Sequence, residues 1–307
     1  MRLFNEIVVR SIPLVPKPLV RYFADPYIAG ETLDEAVALV KALNRSKMAA
    51  TMDVLGEAVA RADEAVAAAD EAIATLKAIE AESLDANLSI KLSQLGLCLD
   101  KDLCLENTRK IMRQAGAIKS SVRVDMEDSS LTDDTLDVYR RLRGEFPNVG
   151  IVLQSCLKRT ESDAVRLMDM GYMNFRLCRG IYAEPDVVAF TRKRDILNNF
   201  HRVLEIMLRR KAYVGIATHH DDLVGHALGL VGDLKLKSDE YEFQMLLGVR
   251  PSLRSKIVGE GHRMRVYVPY GTQWYRYSVR RFRENPEIAG HVVKALFAKK
   301  RGDLSMN

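Results

Sequence analysis

The sequence predicts an α/β fold, a (β/α)8 TIM-type barrel in which eight parallel strands are each followed by a helix. Short apolar runs alternate with longer runs of helical periodicity, and the short runs are apolar on both sides, as helix-covered parallel strands require. The alternation extends over about 250 residues, which favours a closed barrel over an open doubly wound sheet. The predicted strands cover 48–55, 88–92, 121–126, 150–155, 174–179, 213–218, 241–246 and 263–269.

The helices are predicted from apolar spacing, capping residues and composition. Thr32 and Glu35 have capping-box spacing, so an extra helix should begin after Thr32, before the first strand. The stretch 58–79 is rich in alanine and glutamate and favours a long helix. Pro286 should close the helix that follows the last strand. Besides 58–79, the predicted helices cover 33–43, 100–115, 132–144, 161–170, 187–211, 222–230, 253–259, 274–285 and 288–297.

The domain organisation is predicted to be simple. Residues 1–30 should form an irregular N-terminal arm, because four prolines interrupt them at positions 13, 16, 18 and 26. Residues 31–307 contain no long polar linker and are predicted to form a single barrel domain with additional N-terminal and C-terminal helices. No apolar run has the length of a signal-peptide core or a spanning helix, which predicts a cytoplasmic protein.

Composition narrows the function classes. The chain has 46 basic and 41 acidic residues, and the net charge of +5 is too small and too dispersed to indicate nucleic-acid binding. The four cysteines fit no close-paired metal pattern and are predicted to be reduced thiols. They are Cys98, Cys104, Cys156 and Cys178.

Reactive side chains recur at the C-terminal ends of the predicted strands, where barrels of this kind collect their chemistry. One polar strand end is common in a packed core, but the repetition favours a functional site. Arg280, Arg281 and Glu284 also share one face of the helix after the last strand. They are either an exposed basic face or a forked clamp for a small carboxylate. The polar strand ends include Lys91, Asp125, Glu127, Asp128, Gln154, Arg176, Arg179, His219, His220 and Gln244.

These residues leave three interpretations open. The carboxylates and histidines would suit a metal-dependent lyase, whereas five cations around one rim favour an anionic ligand. The sequence has no Gly-x-Gly-x-x-Gly and no Walker motif, so a phosphate-bearing cofactor would be held by arginine, lysine, threonine and helix N-termini. A dehydrogenase without a Rossmann unit is consistent with that pattern. A non-catalytic barrel that binds an amino acid is the third possibility.

Ordered motifs at the strand ends carry a family resemblance. They are Ser-Ile-Lys-Leu-Ser-Gln-Leu-Gly (89–96), Arg-Val-Asp-Met-Glu-Asp (123–128), Val-Leu-Gln-Ser (152–155), Arg-Leu-Cys-Arg-Gly-Ile-Tyr (176–182), Ala-Thr-His-His-Asp (217–221), Phe-Gln-Met-Leu-Leu-Gly (243–248), Tyr-Val-Pro-Tyr-Gly (267–271) and Arg-Arg-Phe-Arg-Glu (280–284). From Tyr27 to the C-terminus the chain resembles the monofunctional bacterial proline dehydrogenases, which are FAD-dependent (β/α)8 barrels. The family often has Lys-Gly-Ala where this chain has Arg179-Gly180-Ile181.

The resemblance implies a role for each matching residue. Asp125 and Arg176 would be catalytic, with Arg176 near the reactive flavin nitrogen. The proline-binding residues would be Lys91, Tyr267, Arg280, Arg281 and Glu284, with the arginine pair on the carboxylate and Glu284 holding that pair. The FAD-binding residues would be Met126, Gln154, Arg179, Gly180, Ile181, Thr218 and His219.

The resemblance also implies a reaction. L-Proline would be oxidised to 1-pyrroline-5-carboxylate, the first step of proline catabolism to glutamate, with hydride transfer to the flavin. Electrons would then pass to a membrane quinone. Peripheral contact with the inner face of the cytoplasmic membrane is expected, through the basic C-terminal helices.

Overall fold

A computed structural model describes residues 17–284, without the side chains of residues 19 and 280–284. Eight parallel strands close into a barrel in chain order, and the last strand pairs with the first. The predicted fold class is therefore confirmed. The strands are β1 (Ala49–Val54), β2 (Ala86–Ile90), β3 (Val122–Val124), β4 (Val149–Gln154), β5 (Asn174–Cys178), β6 (Tyr213–Ala217), β7 (Tyr241–Leu246) and β8 (Met264–Tyr270).

Helices alternate with the strands around the outside of the barrel. Two precede β1, and each strand is followed by one of the others. Thr32 and Glu35 form the predicted capping box, since the Glu35 N–H donates to the Thr32 hydroxyl and the Thr32 N–H donates to the Glu35 carboxylate. The helices are α1 (Lys17–Ala24), α2 (Leu33–Arg45), α3 (Ala62–Ala81), α4 (Lys101–Ala117), α5 (Thr132–Glu145), α6 (Thr160–Asp169), α7 (Lys193–Arg209), α8 (Asp221–Asp233), α9 (Pro251–Gly259) and α10 (Trp274–Glu284).

Two local predictions were wrong. The arm was expected to be irregular, but residues 17–24 form α1, because a proline in the first turn of a helix costs no hydrogen bond. The helix predicted from residue 187 begins at Lys193. The preceding segment pairs with the loop after β4 through a bridge between Leu157 and Ala189. The predicted helix over 288–297 lies outside the described residues.

The main core lies between the barrel and its helices, but the barrel interior is polar. The expectation that the strands are apolar on both sides was wrong for the inner face. Arg123, Arg265 and Glu242 are all less than a tenth exposed. Bonds from Arg176 on β5 reach residues of β1, β2 and β7 and Asp125 directly after β3, so these side chains meet inside the barrel.

Within residues 17–284, no helix combines the length and the apolar character that a bilayer-spanning helix needs.

Candidate active site

Four hydrogen-bonded side chains form a ladder inside the barrel, which runs from Arg265 through Glu242 and Gln244 to Arg176. Glu242 accepts hydrogen bonds from Arg265 Nε at 2.7 Å and from the Gln244 amide at 2.6 Å. Gln244 Oε1 in turn accepts from Arg176 Nε at 2.6 Å. Because Glu242 uses the amide nitrogen of Gln244, the oxygen of that amide is the atom that faces Arg176. The ladder therefore fixes one edge of the Arg176 guanidinium.

Gly215 on β6 makes room for this ladder. A Cβ atom at this position would lie 2.3 Å from the Gln244 amide nitrogen. Any larger residue would therefore push Gln244 out of line with Arg176. The close approach explains a glycine in the middle of a buried strand.

Asp125, directly after β3, accepts hydrogen bonds from three side chains at the C-terminal end of the barrel interior. Its Oδ1 accepts from Ser89 at 2.6 Å and from Arg176 Nη1 at 2.8 Å. Its Oδ2 accepts from the Tyr267 hydroxyl at 2.8 Å and lies 4.0 Å from Lys91 Nζ. Three donors and a second cation thus lie around the Asp125 carboxyl group.

Lys91 forms a buried ion pair with Asp53 at the end of β1, with Nζ 2.5 Å from Oδ1. Burial, reinforced by the nearby Asp125 charge, raises the pKa of Asp53 in spite of Lys91. Burial alone would lower the pKa of Lys91, but the charges of Asp53, Asp125 and Glu127 outweigh burial and raise it. Lys91 is therefore a cation at neutral pH.

Tyr267 on β8 closes the cluster from the other side. Burial, followed by the charges of Asp125 and Asp53, raises the pKa of its hydroxyl well above the usual value. The phenol remains protonated and donates to Asp125. The Arg176 guanidinium lies over its ring, 5.2 Å from the centroid. Tyr267 thus presents a rigid aromatic surface beside two charged groups.

A cavity of about 660 Å³ opens above this cluster at the C-terminal ends of the strands. The buried charges form its floor, and the loops after the strands form its walls. All the predicted site residues whose side chains are described line it. They are Lys91, Asp125, Met126, Gln154, Arg176, Arg179, Gly180, Ile181, Thr218, His219 and Tyr267.

The wall after β4 and β5 is shaped by two contacts. The Gln154 amide nitrogen donates to the carbonyls of Met126 and Glu127 at 2.8 and 3.0 Å. Its oxygen accepts from the Cys156 thiol at 3.7 Å and has a second lone pair that can accept a bond from a ligand. Gly180 has a φ of +90°, and a Cβ there would lie 2.2 Å from Cys156 Sγ. Glycine thus lets the loop pack closely against the end of β4.

The wall after β6 is fixed by backbone contacts. His219 Nε2 accepts from the Leu246 N–H at 2.9 Å, which places the ring proton of a neutral His219 on Nδ1. The Thr218 hydroxyl accepts from the His220 N–H at 3.1 Å. Both side chains are thereby oriented before any ligand binds.

Several lining residues had no predicted role, among them Asp53, Gln244 and Tyr277. Asp53 could have been found from the sequence, because it is a polar residue near the end of an otherwise apolar strand. The same signal identified the other strand-end residues. The predicted clamp is different, because Arg280, Arg281 and Glu284 lie in the last turns of α10 and their side chains are outside the described part of the chain.

Comparison with known proteins identifies this arrangement. The model of the family "Proline dehydrogenase" matches residues 36–294. The chain belongs to the proline dehydrogenase family. It is 39% identical over 279 residues to proline dehydrogenase 1 of Bacillus subtilis (strain 168), covering 91% of this chain and 92% of the relative. It is 37% identical to the proline dehydrogenase of Deinococcus radiodurans, covering 89% of each.

A solved structure agrees with the family membership. Proline utilization A from Bdellovibrio bacteriovorus, inactivated by N-propargylglycine, superposes with a TM-score of 0.80 at 25% identity. The match covers 86% of this chain and 32% of that much longer chain. As a member of the proline dehydrogenase family, this chain is an oxidoreductase.

The geometry also bears on the metal-dependent alternative. Among residues 17–284, no three histidine, cysteine or acidic side chains converge as a ligand set. The site carboxylates are instead bonded to cations and hydroxyl groups. Glu127, for example, accepts from the Ser93 N–H at 3.0 Å and from its hydroxyl at 2.5 Å.

Proposed function

We propose that this chain oxidises L-proline to 1-pyrroline-5-carboxylate, with FAD in the barrel-mouth cavity and a membrane quinone as the final electron acceptor. Family membership supports the reaction. The single observation that supports its location is the cluster of buried and half-buried side chains on the floor of the cavity, formed by Asp53, Lys91, Asp125, Arg176 and Tyr267. Residues 31–307 would act as one catalytic domain preceded by the arm.

The residues on the cavity walls fit FAD. A volume of about 660 Å³ lies within the usual range for cofactor sites. Arg179 and Thr218 would supply donors suited to phosphate and ring oxygens, and the Gln154 oxygen would accept from a ring N–H. Met126, Gly180, Ile181 and His219 would complete the contacts. FAD would supply the hydride acceptor. In proline, the C–H bond of the ring carbon beside nitrogen would break, and its electron pair would leave with the hydrogen. The proline nitrogen would release a proton as the C=N bond forms.

The described charged groups of the floor are already paired with one another. Asp53 is ion-paired with Lys91 at 2.5 Å, and Asp125 with Arg176 at 2.8 Å. A substrate carboxylate would require additional positive charge to offset its desolvation. Arg280 and Arg281, held by Glu284, are proposed to supply it, with Lys91 contributing a further contact.

The roles of Arg176 and Tyr267 follow from their surroundings. Arg176 is held by Gln244, Ser89 and Asp125, and would stabilise negative charge that develops during the two-electron transfer. The ring of Tyr267 would pack against the pyrrolidine ring. A hydroxylated ring would meet this fixed aromatic surface, so proline should be preferred to hydroxyproline.

The visible spectrum of the purified protein tests the function. We expect a yellow protein that loses its flavin absorbance when L-proline is added without oxygen. Glycine, which lacks the ring carbon that is oxidised, is the control and should leave the spectrum unchanged. Protein that takes up no flavin when FAD is supplied, or that keeps its colour with proline, would disprove the proposal. A lyase would instead be colourless and lose activity to a chelator.

Replacement of either clamp arginine by methionine should raise the proline concentration needed for half-maximal flavin reduction by tens of fold. Loss of one charge-assisted contact costs on the order of 2 kcal/mol. The protein should remain yellow, because neither Arg280→Met nor Arg281→Met removes a proposed cofactor contact. Stopped-flow reduction over a range of proline concentrations measures the effect. Wild-type concentration dependence in either variant would show that the arginine does not bind the carboxylate.

A further inference from the structure

An apolar tip projects from the loop between β5 and α7, residues 179–192, named here the rim loop. Among the described residues, six large hydrophobic side chains are exposed, and three of them belong to this loop. Ile181 is 45% exposed, Val187 75% and Val188 38%. Ile181 also lines the cavity, so the apolar tip adjoins the entrance to the candidate active site.

The rim loop is held in place by the loop after β4. The Lys158 N–H donates to the Val188 carbonyl at 3.0 Å, and the Phe190 N–H donates to the Cys156 carbonyl at 2.7 Å. The Lys158 ammonium also donates to the Asp186 carbonyl at 2.5 Å. These bonds fix the turn that carries Val187 and Val188. The valines therefore stay exposed while the backbone around them is ordered, which marks a contact surface.

Basic side chains surround the apolar tip. Arg179 and Arg192 are exposed at the two ends of the rim loop, Lys193 and Arg194 are exposed in the first turn of α7, and Lys158 is exposed beside the loop. Cations at a helix N-terminus are unfavourable, because the helix dipole is positive there. Within the part of the chain that the structure describes, Arg192, Lys193 and Arg194 form no ion pair. Of the acidic residues in the loop, Glu184 is bonded to the Ser129 N–H at 2.8 Å and Asp186 is exposed, so the exposed basic residues outnumber the acidic ones.

We propose that the rim loop docks on an anionic phospholipid bilayer. Apolar side chains that enter the interface, ringed by lysine and arginine, are the pattern of peripheral membrane binding. The inference rests on the proposed function, since docking through this loop would turn the cavity entrance toward the bilayer in which a quinone acceptor dissolves. The docking surface therefore includes the barrel mouth, in addition to the basic C-terminal region expected from the sequence.

Sedimentation with vesicles tests the proposal, using phosphatidylglycerol mixed with phosphatidylcholine against phosphatidylcholine alone. Each basic side chain near an anionic surface contributes roughly a fivefold factor. The variant R192Q/K193Q/R194Q should therefore bind the anionic vesicles roughly 100-fold more weakly. V187S/V188S should bind about tenfold more weakly, because it removes apolar groups from the interface. The full-length protein should bind phosphatidylcholine alone only weakly.

The opposite end of α7 offers a matched control. R209Q/R210Q/K211Q removes the same number of exposed charges from the end of the helix farthest from the cavity, and should bind vesicles as the wild type does. M170S is the apolar control, since Met170 is 46% exposed and precedes β5 at the other end of the barrel. If the controls lose as much binding as the rim-loop variants, or the rim-loop variants bind normally, the proposal is wrong.

Two further readouts separate this proposal from the proposed function. Proline oxidation with a water-soluble dye should be unchanged in the rim-loop variants, while reduction of a long-chain quinone in vesicles should fall with vesicle binding. If the wild-type protein does not reduce the dye when proline is added, the proposed function is wrong, whatever the vesicle experiment shows. If V187S/V188S changes the oligomeric state in solution and leaves vesicle binding intact, the tip is a contact between copies of the chain and the membrane proposal fails.

Discussion

Replacement of Arg176 by lysine is expected to slow flavin reduction at saturating proline by roughly 100-fold, in line with the loss of one preorganised donor at a reacting centre. Lysine keeps the positive charge but lacks the planar fork. Arg176 uses that fork to bond Gln244 through Nε and to bond Ser89 and Asp125 through Nη1. An ammonium group cannot maintain all three directions, so the charge would no longer be held in one place.

Single-turnover reduction in stopped flow, followed at the flavin absorbance, measures this effect directly. Arg265→Lys is the matched control. Arg265 is also a buried barrel arginine that bonds the same ladder, but it does not line the cavity. The control should lose stability while its reduction rate at saturating proline stays near that of the wild type. Unchanged single-turnover rates in Arg176→Lys would remove the proposed role of Arg176 in the reaction.

The sequence predicted the fold and most of the described cavity lining because both depend on local pattern. Strand ends are recognisable from a polar residue that follows an apolar run, which is how Lys91, Asp125 and Arg176 were found. A parallel barrel brings all such ends to one rim. The rule requires no knowledge of which strands are opposite each other, so one sequence was enough.

The pairing of residues across the barrel could not be predicted in this way. Gln244 bonds Arg176 only because both side chains enter the barrel interior at the same level. Asp53 meets Lys91 only after β1 and β2 pair in register. Both contacts depend on barrel closure and side-chain direction. A polar strand end alone therefore identifies a candidate residue without identifying its partner.

The polar interior was missed because the strands are short. In Tyr241–Leu246 the charged Glu242 and the amide of Gln244 alternate with Tyr241, Phe243 and Met245. This period of two would indicate opposite faces in a longer strand. Over six residues the apolar content outweighs this alternation, so the sequence predicts strands that are apolar on both sides. The buried charges Arg123, Glu242 and Arg265 instead fill the barrel with polar contacts.

Glu242→Gln is expected to lower the free energy of unfolding at pH 7 by roughly 3 kcal/mol, since it leaves the buried Arg265 without its counter-charge. Burial acts to raise the pKa of Glu242, but the Arg265 charge and the bonds from Arg265 and Gln244 outweigh burial and lower it to about 2. A depressed carboxyl pKa means that the folded protein holds the ionised form more tightly than the unfolded chain does. The stabilisation is therefore complete above the ordinary pKa of glutamate and disappears as pH falls toward 2.

The pH dependence separates this charge effect from a simple packing defect. Urea unfolding of the wild type and Glu242→Gln should show the full stability difference at pH 7 and a much smaller one at pH 3. Glu205→Gln is the control, because Glu205 pairs with Arg209 at the exposed surface, where an ion pair contributes less than about 1 kcal/mol. A packing defect would cost the same at both pH values. A difference that does not shrink on acidification would therefore mean that Glu242 stabilises the barrel through its shape and hydrogen bonds alone.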